Sequence, residues 1–179
     1  MKKRMTHIYT GSGKGKTTAA LGQAIRAIGQ GLKVCVVQFA KPSDLETGEK
    51  RISDRLGDNL KIVQFGDSKT WLKPTSKQEV NEKMKNAVSD ALKFAQECMD
   101  KADVDMLILD EIIVAVSLGV LTEEEVISIM KSKPAEIELI LTGRGATVEM
   151  IELADLVTEM KEIKHPYQRG IDARRGIEY

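Results

Sequence analysis

Along this chain, short apolar runs alternate with longer stretches in which apolar residues return every three or four positions. Residues 5–10 (MTHIYT) read as a short strand, and residues 17–29 (TTAALGQAIRAIG) carry Ala, Leu and Ile at helical spacing up to Gly29 or Gly31. Lys33 to Phe39 (KVCVVQF) is continuously apolar and rich in β-branched residues, the pattern of a strand buried on both faces. A polar loop with Pro42 and Gly48 follows, then a strand over 60–65 (LKIVQF). Residues 76–101 are polar with apolar returns at Val80, Met84, Val88, Leu92 and Ala95, which predicts an amphipathic helix packed on a sheet. Met106 to Leu109 is a compact apolar strand ending in two acids. Helices are expected over 112–118 and 122–132, a strand over 136–142, a helix over 147–153 and a last strand from Asp155 to Met160. Strands alternating with helices imply parallel pairing with both sheet faces covered. The expectation is one three-layer α/β domain over residues 1–179, with a mostly parallel sheet.

Composition narrows the function classes. The chain has 179 residues, 27 Lys plus Arg against 27 Asp plus Glu, and so no formal net charge. That argues against a dedicated nucleic-acid binder, which usually carries a basic excess. No run approaches the roughly 20 apolar residues that cross a bilayer, and the basic start Met1-Lys2-Lys3-Arg4 is not followed by a signal-type apolar core. Two cysteines, Cys35 and Cys98, lack metal-like spacing and fit a reduced, buried state. The expected location is the cytoplasm, with no membrane and no nucleic acid as partner.

The first chemical signal is the glycine-rich stretch after the first strand. Gly11-Ser12-Gly13-Lys14-Gly15-Lys16-Thr17 nearly fits G-x-x-x-x-G-K-[ST], a phosphate loop, and Thr18 follows it into the helix. Glycines let successive backbone N–H groups converge on phosphate oxygens, and the helix that follows points its positive end at the same anion. Lys16 would reach the terminal phosphates, and the Thr17 hydroxyl would ligate Mg²⁺ (or Mn²⁺). One slot departs: the pattern's first glycine falls on Thr10, with Gly11 one place late. With this loop, the fold expected is that of the phosphate-loop (P-loop) nucleoside triphosphatases, NTPase-like, and ATP is the expected ligand.

Two strand ends add to it. Leu107-Ile108-Leu109-Asp110-Glu111 ends a strand in carboxylates, which in phosphate-loop proteins hold Mg²⁺ directly or through water. Glu111 is favoured for the metal with Asp110 as the anchor behind it, although the order could be reversed. Leu141-Thr142-Gly143-Arg144-Gly145 is a strand ending in a glycine turn that carries one arginine, suited to bidentate phosphate binding.

Taken together, TGSGKGKTTAALGQAIRA, KVCVVQF, LILDEI, LTGRGA, ADLVTEM and KHPYQRGIDARRGIEY resemble the ATP:corrinoid adenosyltransferases of the phosphate-loop type, almost end to end from Thr6 to Tyr179. That family also opens its loop with Thr-Gly, so Thr10 supports the match. The resemblance implies that the nucleophilic cobalt of a reduced corrinoid attacks C5′ of ATP, triphosphate leaves and a Co–C bond forms. It assigns Lys16 and Arg144 to the charge on the departing triphosphate, and Gly11, Ser12, Gly13, Lys14, Gly15, Lys16, Thr17 and Thr18 to ATP. It also implies a homodimer, with a flavoprotein as candidate reductant. Trp71 would be a corrinoid contact, although Lys69 stands where many members carry a first aromatic. A longer N-terminal arm that closes over the substrate in many members has no counterpart in the few residues before the first strand. His7 is expected as a packed core histidine, and His165 has no assigned role. Two alternatives stay open: a small-molecule kinase on the same loop, and an ATP-binding regulatory module.

Overall fold

In the computed structural model, residues 4–39, 41–42, 44, 46–66 and 82–178 are described. Six strands, β1 (Thr6–Thr10), β2 (Val34–Phe39), β3 (Leu60–Phe65), β4 (Met106–Asp110), β5 (Glu138–Thr142) and β6 (Leu156–Glu159), form one sheet in the order β3-β2-β4-β5-β1-β6. Every pairing is parallel. Among the described residues, six α-helices connect them: α1 (Lys16–Ile28), α2 (Gly48–Leu56), α3 (Glu82–Lys101), α4 (Ile112–Ser117), α5 (Glu123–Ser132) and α6 (Val148–Leu153).

The alternation of side chains along each strand sorts the core into two layers. Tyr9, Val34, Val36, Met106, Ile108 and Ile140 face α1, whose buried stripe is Ala20, Ala24 and Ala27. Small residues on that stripe let the helix that leaves the phosphate loop lie close to the sheet. Ile8, Cys35, Val37, Leu107, Leu109, Leu139 and Leu141 face the other way, against Val88, Ala91 and Ala95 of α3 and against Ile112, Ile113, Val126 and Met130 of α4 and α5. Both cysteines are free and buried. Strand positions follow the apolar runs closely, with β4 one residue longer than expected because Asp110 is itself buried in the ladder.

Two expectations change. The segment read as a polar loop after β2 contains α2, a nine-residue helix with no buried residue. Its only apolar residues are Ile52 and Leu56, so no stripe marks it in the sequence. His7 is largely buried, its side chain 14% exposed, but its Nε2 lies 2.7 Å from Glu138 Oε1, so it sits in a polar contact between β1 and β5 rather than among apolar core residues. The N-terminal part of the predicted 76–101 helix, with Val80, lies outside the described residues.

Candidate functional site

The site lies beyond the carboxyl ends of β1, β4 and β5, where open parallel sheets place their ligands. Thr10 ends β1 with its side chain buried, and its hydroxyl accepts from the Ala146 amide at 3.4 Å, so the residue at the departing slot ties the loop to the turn that carries Arg144. Gly11 then takes φ +97°, and a Cβ there would stand 2.5 Å from the Met160 carbonyl oxygen. Only glycine satisfies both demands. The partner is the end of β6: the Gly13 amide donates to the Met160 carbonyl at 2.6 Å, and the Met160 amide donates to Thr10 at 2.8 Å. The ADLVTEM segment is therefore the edge strand that backs the phosphate loop.

Gly15 precedes α1 and no side chain caps the helix, which leaves its first turn to an incoming anion. Lys16 is 6% exposed, and its Nζ donates to the loop carbonyls of Gly11 (2.8 Å) and Gly13 (2.7 Å). Burial lowers its pKa first, and the nearby Arg144 lowers it further, while Glu111 and Asp110 act the other way. The lysine thus waits in the loop on neutral acceptors.

The Thr17 hydroxyl donates to Asp110 Oδ1 at 2.8 Å, and the Thr142 hydroxyl donates to the same oxygen at 2.7 Å. Asp110 Oδ2 accepts from Gln38 Nε2 at 3.0 Å. Asp110 is 1% exposed, so its charge is held by three donors rather than by water. Glu111 differs in every respect. Its backbone is left-handed at φ +66°, its amide donates to Thr142 Oγ1 at 2.9 Å, and its side chain lines the cavity. Burial, with Asp110 adding to it, raises the Glu111 pKa.

Arg144 is presented by a turn that needs its glycine: Gly143 has φ +143°, and a Cβ there would lie 2.8 Å from the Val114 amide nitrogen of α4. The Ser117 hydroxyl of α4 fixes the same turn by donating to the Arg144 carbonyl at 2.9 Å. Lys16, Thr17, Thr18, Glu111 and Arg144 come together around one cavity of about 480 Å³. Through Thr17, Thr18 and Glu111 it adjoins a second cleft of about 680 Å³, whose far wall is Lys41, Gly48 and Glu49. Trp71 lies outside the described residues.

Several contacts here have no role assigned from the sequence. His165 lines the phosphate cavity and accepts the Tyr167 amide at 3.2 Å to start a short 3-10 turn. The C-terminal tail crosses over the loop: Lys14 Nζ donates to the Ile177 carbonyl at 3.0 Å and stands 3.6 Å from Glu178. Arg174 binds Glu178 through its guanidinium and backbone amide, and these bonds push the Glu178 pKa down to about 2. Ile177 and Glu178 border both cavities. Lys41 and Glu49 pair at 2.7 Å, from opposite ends of the segment that had read as a loop.

Comparison with known proteins agrees with this geometry. The family model described as ATP:corrinoid adenosyltransferase BtuR/CobO/CobP matches residues 2–179. A corrinoid adenosyltransferase of Pseudomonas aeruginosa is 35% identical over 96% of this chain and 82% of its own length. The corrinoid adenosyltransferase of Escherichia coli K12 is 36% identical over 96% of this chain and 84% of its own. Corrinoid adenosyltransferase CobA of Salmonella typhimurium is similar to the same extent, at 36% identity.

Proposed function

The chain belongs to the ATP:corrinoid adenosyltransferase family, and from that premise we propose that its phosphate loop grips the leaving group of the reaction rather than the group transferred. The enzyme transfers the 5′-deoxyadenosyl group of ATP to the cobalt of a reduced corrinoid, in cobalamin metabolism. The Co(I) electron pair forms the bond to C5′, the C5′–O bond breaks, and its electrons leave with triphosphate.

The observation that carries the proposal is the adjoining pair of cavities. The phosphate cavity, lined by Lys16, Thr17 and Arg144, runs directly into a larger cleft of about 680 Å³ that opens beside it. Negative charge grows on the departing triphosphate, and that is where the loop amides, Lys16 and Arg144 converge. Preorganised donors there lower the barrier by matching charge that develops only in the transition state. On binding, Lys16 would exchange the Gly11 and Gly13 carbonyls for phosphate oxygens, a gain that its burial enlarges. Holding C5′ against the second cleft adds a positioning term. None of these roles requires a side chain to move a proton.

The residues present fit a divalent cation such as Mg²⁺ or Mn²⁺. Thr17, Asp110 and Glu111 offer hard oxygens on one wall, and among the described residues no group of three or more His, Cys, Asp or Glu forms a cage of its own. That is the donor set of an ion shared with substrate phosphates. Glu111 would hold it, with Asp110 orienting Thr17; the ion would supply charge neutralisation at the polyphosphate. Lys41 and Glu49, at the far wall, would face the corrinoid. The backbone of Lys41 packs against Gly66 at the end of β3.

A cytoplasmic homodimer supplied with electrons by a flavoprotein completes the proposal. Its support is the family likeness, together with the absence, among the described residues, of any helix long and apolar enough to cross a membrane.

The test is to incubate the protein with ATP, Mg²⁺ and chemically reduced cobalamin and to identify both products. Triphosphate with a light-sensitive Co–C species is expected. ADP with a phosphorylated acceptor would point to a kinase, and binding without turnover to a regulatory module.

A further inference from the structure

The strands β2 and β3 both end in Val-Gln-Phe, and their register sets Gln64, Gln38 and Asp110 side by side in one row across three strands. Gln38 is 0% exposed. Its Nε2 donates to Asp110 Oδ2 at 3.0 Å and to Glu49 Oε1 at 3.2 Å, and its Oε1 accepts from Gln64 Nε2 at 2.9 Å. The orientation of the amide is forced, because only its nitrogen can face two carboxylates. One side-chain nitrogen therefore joins two acids that serve opposite ends of the cleft. Asp110 orients Thr17 at 2.8 Å on the phosphate side, and Glu49 holds Lys41 at 2.7 Å on the far wall.

We propose that Gln38 is a positioning residue for both substrates: its buried amide spans Asp110 and Glu49, and so holds Thr17 on the nucleotide side and Lys41 on the corrinoid side in one fixed register. This rests on the proposed division of the cleft between triphosphate and corrinoid. A neutral donor suits the position. A cation there would neutralise Asp110 and compete with Lys41 for Glu49, and an anion would add a third carboxylate to a buried pair. A shorter amide would not span the two acids from the same backbone position.

Hydrogen bonds to charged groups are among the stronger ones, and loss of one leaves a buried carboxylate short of a donor. Gln38→Met keeps the volume and removes both donated bonds, together with the one accepted from Gln64. Two quantities are read on the full-length protein: the dissociation constant of Mg·ATP without corrinoid, by calorimetry, and the KM for reduced cobalamin at saturating ATP. Gln38→Met should raise both, each by about five- to tenfold. Lys41→Met, which touches only the far wall, should raise the cobalamin KM and move the ATP constant by less than about twofold.

A purely structural Gln38 would lower the Tm and leave both constants of the folded protein unmoved, and that result overturns the proposal. So does a shift in one constant alone. If Gln38→Met does not fold, Gln64→Met serves in its place. It removes the bond that aims the Gln38 amide, and it should move both constants in the same direction by a smaller factor; movement of neither overturns the proposal. The premise fails separately: an unchanged cobalamin KM in Lys41→Met would remove the corrinoid from that wall, whatever Gln38 does.

Discussion

The two sides of the phosphate cavity use the same kinds of residue in opposite ways. Its floor sets Asp110 among Thr17, Thr142 and Gln38, buried and held by neutral donors. Its roof, the C-terminal tail, sets Glu178 against Lys14 and Arg174 at the surface. On the floor the donors are committed to buried carboxylates and have little freedom to exchange them, since an unpaired buried carboxylate is costly. On the roof, water and salt compete for each ion pair, and such pairs contribute little to stability. On the proposed reading, the floor holds geometry and the roof gives way when a polyanion arrives. Lys16 stands between the two: buried like the floor, yet held only by carbonyls that phosphate oxygens can replace.

The largest expected effect comes from that intermediate residue. Lys16→Ala should lower kcat by roughly 10²–10³-fold, the scale for one electrostatic group at a developing charge; a near-normal turnover would remove Lys16 from the account. Gly11→Ala comes next. It forces a left-handed residue against the Met160 carbonyl, and the loop must shift off the end of β6. Weakening of ATP binding by at least about tenfold is expected, with a Tm loss of a few degrees, read by calorimetry and thermal denaturation.

Glu111→Gln separates function from stability. Glu111 has a pKa raised by burial, so folding favours its protonated form, and the ionised carboxylate costs stability above that pKa. The substitution should cut Mg²⁺-dependent turnover while raising the Tm of the free protein near neutral pH. The gain should shrink as pH falls through the raised pKa toward the ordinary carboxylate value. An unchanged or lower Tm would contradict the cost assigned to burying the ionised carboxylate.

The smallest effect belongs to the roof. Glu178→Gln removes the ion pair to Lys14, which keeps its bond to the Ile177 carbonyl, and should tighten ATP binding by about twofold or less, and only at low ionic strength, as screening dictates. A larger effect that survives high salt would mean that the tail is as fixed as the floor.

This contrast also explains what the sequence discloses. The floor's chemistry sits in contiguous words: Gly11 to Thr17, Asp110-Glu111 and Thr142-Gly143-Arg144 each mark a strand end, and strand ends in a parallel sheet converge. The hydrophobic runs carry the sheet for the same reason, since a strand buried on both faces leaves little choice of residue. Helix α2 escapes because none of its residues is fully buried and only Leu56 of its two apolar residues packs on the core, so it has no apolar stripe for periodicity to record. Gln38 and Gln64 lie inside apolar strands and pass as ordinary members of them. The repeated Val-Gln-Phe was the available signal, but its meaning depends on register, which sets Gln38 opposite Asp110 from a distant strand. Glu178 is one acid in a charged tail, and only the path of that tail over Lys14 singles it out.

The central claim, that residues 11–17 hold the polyphosphate of ATP against the buried carboxylate of β4, is tested most directly by calorimetric titration of ATP with and without Mg²⁺. Wild-type protein and Thr17→Ala should be compared in parallel. The account predicts that wild type binds ATP more tightly with Mg²⁺ present, and that Thr17→Ala loses most of that increment while retaining metal-free binding. Identical titrations for the two proteins, or no ATP affinity in the wild type, would contradict it.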